Sequence, residues 1–251
     1  MSVERDDGWS SVAADWAALW APFAAPVRDA VLVATGIGPG TRVLDIGCGS
    51  GEFLALAGRA GARVAGIDPA PGMLGLARRA APDADLRPGT AETLPWPDAS
   101  FDVTTAFNAL QFADDTLDAV AEAVRVTVPG GLLAVANWAE RARNDIETIE
   151  DALARADGEE PLPDGDLRPA EGLEALVSDA GLALVATELI EVDWRLPDDD
   201  TLVRGMLLGE DEPVRASLAP VVLDAARPFR DDRGGYLLRN AFRAVVARTP
   251  G

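Results

Sequence analysis

Residues 43–51 read Val-Leu-Asp-Ile-Gly-Cys-Gly-Ser-Gly, and a second carboxylate, Asp68, follows the apolar run Val64-Ala65-Gly66-Ile67. An apolar strand, an acid near its end, a three-glycine turn, a helix, a second strand and a second acid leave few folds open to the chain. Glycines at 47, 49 and 51 let the backbone turn sharply and approach a ligand where a Cβ would collide. An acid at the end of the next strand can accept two hydrogen bonds from a ribose diol. The pattern describes a nucleoside-cofactor site.

Nicotinamide and flavin sites share this architecture but space their glycines G-x-G-x-x-G and seat a pyrophosphate on the helix N-terminus. Here the spacing is Gly47-x-Gly49-x-Gly51, with Asp45 two residues before the first glycine. That acid opposes a pyrophosphate and suits an ammonium. S-adenosylmethionine carries both an ammonium and a sulfonium, and it is the cofactor these residues favour.

On these residues the chain resembles the class I S-adenosylmethionine-dependent methyltransferases, in particular the small-molecule group related to the ubiquinone and menaquinone biosynthesis enzymes. The resemblance is clearest from about Arg42 to Trp138. It covers Val43–Gly51, Asp68, the stretch Gly89-Thr90-Ala91-Glu92-Thr93-Leu94-Pro95-Trp96, the segment from Ser100 through Asn108-Ala109-Leu110-Gln111-Phe112, and Pro129–Val135. It implies cofactor contacts from Asp45, Gly47, Cys48, Gly49, Gly51, Asp68 and Pro69, with Ala91 and Glu92 on the adenine side, Met73 either under the adenine, as the resemblance favours, or in the core, and Asn108 and Gln111 after the fourth strand. Many members carry histidine about where Gln111 stands, which leaves Gln111 to hydrogen-bond the cofactor or line the pocket.

A chain of 251 residues with 48% hydrophobic content fits one α/β domain that needs no disulfide or structural metal. The single cysteine, Cys48, and an acidic N-terminus that is unlike a secretory signal lead to the expectation of a cytoplasmic protein. Net charge is −20, and the chain has neither lysine nor histidine. Such a surface repels phosphate backbones, so no nucleic-acid partner is expected. No apolar run approaches a membrane span, so no membrane partner is expected either. The partner this reading implies is a small-molecule acceptor, such as a specialised metabolite; the oligomeric state is left open, a homodimer included.

Alternating strand-like and helical segments predict a Rossmann-like, doubly wound α/β fold. The expected strands lie near 42–46, 63–67, 84–87, 101–107, 131–138, 182–196 and 235–248. The sheet should be mostly parallel, with an antiparallel last strand that the resemblance implies. Residues 8–36 should form two helices that pack on the domain or act as a lid, and 139–169 and 199–229 should be substrate-side insertions of a single 1–251 domain. Trp16, Trp20 and Trp138 are candidates for the acceptor pocket.

Methyl transfer is an in-line displacement in which the protein mainly aligns the reactants and excludes water. With no imidazole or amine, a protein base has to be Asp, Glu or Tyr236; Tyr236 is the one catalytic candidate, and a strand-edge role suits it equally. Asp102 reads as structural and Asp198-Asp199-Asp200 as a helix start. No cluster has metal-ligand spacing. Two rival readings stand beside methyl transfer: a cyclase or isomerase that uses the cofactor electrostatically, and a catalytically silent accessory protein.

Overall fold

The computed structural model describes residues 8–251; the acidic residues 1–7, which the localisation expectation used, lie outside it. Two helices come first, α1 (Trp9–Leu19) and α2 (Ala25–Thr35). Then follow β1 (Arg42–Ile46), α3 (Glu52–Arg59), β2 (Arg63–Asp68), α4 (Pro71–Ala80), β3 (Asp85–Pro88), β4 (Phe101–Phe107), α5 (Thr116–Val126) and β5 (Thr127–Trp138). The remainder is α6 (Ile146–Ala156), α7 (Gly172–Asp179), β6 (Ala183–Leu196), α8 (Asp199–Met206), α9 (Glu212–Ala225) and β7 (Tyr236–Arg248).

The strands form one sheet in the order β3-β2-β1-β4-β5-β7-β6. β7 runs antiparallel to both its neighbours and the other pairings are parallel. Each face of the sheet has its own core. Ala119, Val120, Leu173 and Val177 of α5 and α7 pack on Leu133, Val135 and Val245. Val27, Val31, Phe53 and Ala57 of α2 and α3 pack on Val43, Val103, Ala134 and Val246. Burial on both faces explains why these strands read as nearly continuous apolar runs.

Local chemistry sets the boundaries. α2 ends at Gly36 in the left-handed region, and α4 begins on Pro71. Asp115, Asp198 and Asp211 cap α5, α8 and α9 by accepting backbone N–H groups. Asp102 accepts from the Arg42 backbone and guanidinium, so it fixes the start of β4 against β1. One boundary departs from expectation. β5 begins at Thr127, not 131, because Pro129-Gly130-Gly131 is absorbed as an irregularity where the pairing with β4 shifts between Phe101 and Val103.

The pairing of β5 with β7 ends at Trp138 opposite Phe242, whereas β6 and β7 stay paired as far as Leu196 opposite Tyr236. At about 3.4 Å per residue the hairpin runs roughly 20 Å past the end of β5. Its far end carries a third core in which Trp194, Leu196, Tyr236 and Leu238 pack with Leu202, Val222 and, from α6, Ile146 and Ile149.

Candidate cofactor site

β1 delivers the chain to a turn in which Gly47, Gly49 and Gly51 all have positive φ, at 65°, 52° and 88°. At Gly47 an added Cβ would lie 2.5 Å from the Ala109 Cβ, and at Gly51 2.8 Å from the Ala77 Cα. Gly49 faces a more open space, bounded by the Trp16 ring 3.8 Å from where a Cβ would stand. The turn is a cradle shaped by missing side chains, as a closely approached ligand requires.

Asp68 ends β2 beneath this turn, 7% exposed. Its Oδ2 accepts the Gly49 N–H and its Oδ1 the Ala70 N–H, both at 2.9 Å. A carboxylate oxygen accepts more than one hydrogen bond, so this anchoring is compatible with hydroxyl donors from a ligand.

Asp45 lies on the α2 and α3 side of β1, 3% exposed. Burial pushes its carboxyl up to about 7, against the hydrogen bond that Thr105 Oγ1 donates at 2.7 Å and the attraction of Arg28. Arg28, on α2, donates to the Ala21 carbonyl. Its guanidinium is drawn below its ordinary value by burial while Glu52, Asp45 and Asp29 pull the other way. Ser50 Oγ donates to Glu52 Oε1 at 2.6 Å, which completes the polar rim of the turn. A buried acid and a half-buried guanidinium within electrostatic reach of each other, but not paired, fit the two charged ends of an amino acid.

The other sequence candidates distribute as follows. Cys48 belongs to the turn by its backbone, but its thiol packs with Leu54, Leu74 and Ala81, and burial raises its pKa. Met73 is buried with Ala13 and Ala70 where Trp9 and Trp16 pack, while Pro69 is exposed and Ala91 half-buried. Burial, which would raise the Glu92 pKa, is outweighed by hydrogen bonds from Thr90 and from backbone groups including the Asp114 N–H. Asn108, at φ 50°, donates its N–H to the Ala136 carbonyl and accepts the Trp138 N–H at Oδ1. Gln111 is exposed on the short turn that follows.

The three tryptophans divide between two places. Trp16 covers Gly49, whereas Trp20, just past the last turn of α1, joins Phe23, Trp194, Trp138 and Phe242 in one aromatic cluster. Tyr236 sits at the hairpin's far end, 2% exposed, with its hydroxyl donating to Asp199 Oδ1. α1 ties these regions together. Gly72 N–H donates to Ser10 Oγ, the Trp20 indole to the Gly205 carbonyl and the Trp194 indole to the Leu19 carbonyl, and Arg204 pairs with Asp15.

Sequence reading missed four polar residues here: Arg28, Thr105, Asn137 and Arg243. The last three interrupt apolar strand runs, and that was the one signal available. Fold and site together define an α/β protein built to hold a nucleoside cofactor at the carboxyl ends of its strands.

A family profile described as a methyltransferase domain matches residues 44–135. A demethylmenaquinone methyltransferase of Mycobacterium sp. (strain KMS) is 33% identical over 176 residues, which cover 67% of this chain and 76% of that protein. A malonyl-[acyl-carrier protein] O-methyltransferase of Serratia marcescens is 36% identical over 121 residues, 48% of this chain and 46% of that protein, so the similarity spans about half the relative's length. Among solved structures, the [4+2]-cyclase SpnF aligns over 92% of this chain and 83% of its own, with a TM-score of 0.61 at 22% identity, which speaks to the fold alone. The chain belongs to the S-adenosylmethionine-dependent methyltransferases. No helix among the described residues is long and apolar enough to cross a membrane.

Proposed function

We propose that this chain transfers a methyl group from S-adenosylmethionine to a small-molecule acceptor, mainly by holding the two reactants in line. The observation that carries this reading is the buried Asp45 beside the glycine turn, with Arg28 in electrostatic reach of it and not paired to it. Together they match the ammonium and carboxylate of the cofactor's amino-acid end. Asp68 accepts from the ribose hydroxyls while it keeps the Gly49 amide. Glu92, Ala91 and Met73 form the adenine side, and Asn108 and Gln111 border the methyl-donating end. When bound, the cofactor supplies a methyl carbon activated by the adjacent sulfonium.

The chain's own residues orient and exclude water. α1 serves as the lid, with Trp16 over the turn, and the segments 139–169 and 199–229 form the acceptor side. Trp20 and Trp138 stiffen that side through the aromatic cluster with Phe23, Trp194 and Phe242. Proximity and orientation supply about 7–11 kcal/mol of barrier reduction, so no protein base is required for an intrinsically nucleophilic acceptor. Calorimetric titration with S-adenosylmethionine, followed by an assay for S-adenosylhomocysteine with a panel of small acceptors, tests the reading. Saturable binding with acceptor-dependent product supports transfer. Binding without product under every acceptor would favour a non-transferring role, and no binding would remove the cofactor assignment.

A further inference from the structure

We propose that Asn137 and Arg243 form a buried subsite for a hydroxyl group of the acceptor. The proposal rests on the reading of this chain as a small-molecule methyltransferase. Asn137 is the next-to-last residue of β5 and is 2% exposed, and neither atom of its amide has a hydrogen-bond partner among the described residues. Arg243 stands directly opposite on β7, 8% exposed, with an equally unpartnered Nε. Directly opposed residues of an antiparallel pair point to the same face, with Cβ atoms about 4.5–5.5 Å apart. Three unmatched polar atoms are thus collected in one buried spot. Native proteins rarely tolerate this without a use for it.

The spot lies where an acceptor belongs. The loop after β4 is joined to the end of β5 by the Asn108 N–H to Ala136 and the Trp138 N–H to Asn108, one bond on each side of Asn137. The same loop places Ala109 against Gly47 of the cofactor turn. β1 and β5 are separated by β4 alone, so two strand spacings, roughly 10 Å, separate the turn from the subsite.

Charge selects the ligand. Arg243 Nη2 already donates to both Glu140 oxygens, at 3.0 and 2.9 Å, a carboxylate that Arg143 shares at 3.4 Å from the more exposed side, so the guanidinium already has a carboxylate partner before anything binds. A phosphate or other strongly anionic group gains little there. The remaining Nε–H donates, and the Asn137 amide both donates and accepts. A carbonyl oxygen would leave the amide oxygen unmatched, whereas a hydroxyl accepts from Arg243 and donates to Asn137 Oδ1. A phenolic, enolic or alcoholic hydroxyl is the group that uses both sides.

Two variants isolate these contacts. Asn137→Leu removes the amide at similar volume, and Arg243→Lys keeps a cation for Glu140 while removing Nε. The protein is loaded with S-adenosylhomocysteine and titrated with phenol, and separately with its methyl ether, anisole. The Asn137 side-chain amide and the Arg243 Nε–H are followed by nitrogen-correlated NMR. Phenol is expected to shift both resonances and anisole neither, and each variant should weaken phenol binding about tenfold or more. Asn137→Leu should melt no lower than the unaltered protein, because it removes an unmatched buried amide. Equal response to phenol and anisole, silent resonances, or unchanged phenol binding in Arg243→Lys would each overturn the subsite. If Asn137→Leu does not fold, Arg243→Lys carries the binding test by itself. The melting shift caused by S-adenosylhomocysteine in the unaltered protein is read independently. Its absence would defeat the cofactor reading, whereas its presence with silent resonances defeats only the subsite.

Discussion

The Asp68 carboxylate holds the Gly49 amide at 2.9 Å, so the acid at the end of β2 is part of the frame of the turn above it. It also holds the Ala70 amide, which opens α4. Asp68→Ala therefore removes structure as well as a ligand contact. Charge-assisted bonds of this kind contribute about 1.5–3 kcal/mol each. The variant should lose melting temperature without ligand and bind S-adenosylmethionine tenfold to several hundredfold more weakly by calorimetry. Asp68→Asn retains one accepting oxygen and should fall between. A variant with both properties unchanged would take Asp68 out of the site.

Asp45 makes binding and stability depend on pH. Its carboxyl is raised from an ordinary 3.8 to about 7, so between those values the folded chain holds a proton that the unfolded chain has released. Stability contributed at this position falls as pH rises through that window. A ligand ammonium favours the ionised acid, so S-adenosylmethionine should bind more tightly as pH rises toward 7, by at most about tenfold per unit. Binding should also release a proton, measurable by calorimetry in buffers of different ionisation enthalpy. Asp45→Asn should flatten both trends. At saturating cofactor the rate should instead follow the acceptor's own ionisation, because no imidazole or amine is present to titrate.

Gly49 has φ 52°, and among the described residues only the Trp16 ring comes within 4 Å of an added Cβ. Gly49→Val forces a branched side chain into a backbone region it strongly disfavours and fills the space over the turn. Without ligand the loss of melting temperature should be limited to the backbone strain, since no neighbour among the described residues lies closer than 3.8 Å to the added Cβ. Stabilisation by S-adenosylmethionine should disappear. A variant that the cofactor stabilises as strongly as the unaltered protein would contradict the role of this turn.

Gly72 reports on the seat of α1. Glycine to alanine in a helix ordinarily gains up to about 1 kcal/mol, yet here the new Cβ would stand 2.6 Å from the Ser10 carbonyl oxygen. Gly72→Ala should consequently destabilise the protein, expose the α1 segment to limited proteolysis and speed cofactor release in stopped-flow displacement. An ordinary propensity gain with unchanged release would mean that α1 does not retain the ligand.

Short-range signals were legible because they are contiguous. Gly47, Gly49, Gly51 and Asp68 form one strand-turn-helix-strand unit, and Asp198 announces its helix by occupying the cap itself. The Asp102 bond to Arg42 is long-range, yet the position of Asp102 at a strand entrance suggested its role. What escaped was set by pairing between distant segments. Arg28 comes within electrostatic reach of Asp45 only because α2 packs on the same face of the sheet, and Asn137 meets Arg243 only through the β5–β7 register. Trp16 and Trp20 are four residues apart on one helical run, yet Trp16 covers Gly49 while Trp20 enters the aromatic cluster of the distant hairpin. Cys48 lies inside the glycine motif, yet its side chain turns to the core beside Gly66, where an added Cβ would be 2.8 Å from its sulfur.

The long β6–β7 hairpin behaves mechanically as a cantilever. Its root is clamped in the sheet at Trp138 and Phe242, and its far end, near Tyr236 and Leu196, bears α8 and α9 and rests on α6. Over roughly 20 Å of lever, a tilt of about 10° at the root becomes about 3–4 Å at the tip. The indole bonds of Trp20 and Trp194 act as guy lines from α1 to this arm, and the Ser10 contact pegs α1 beside the glycine turn.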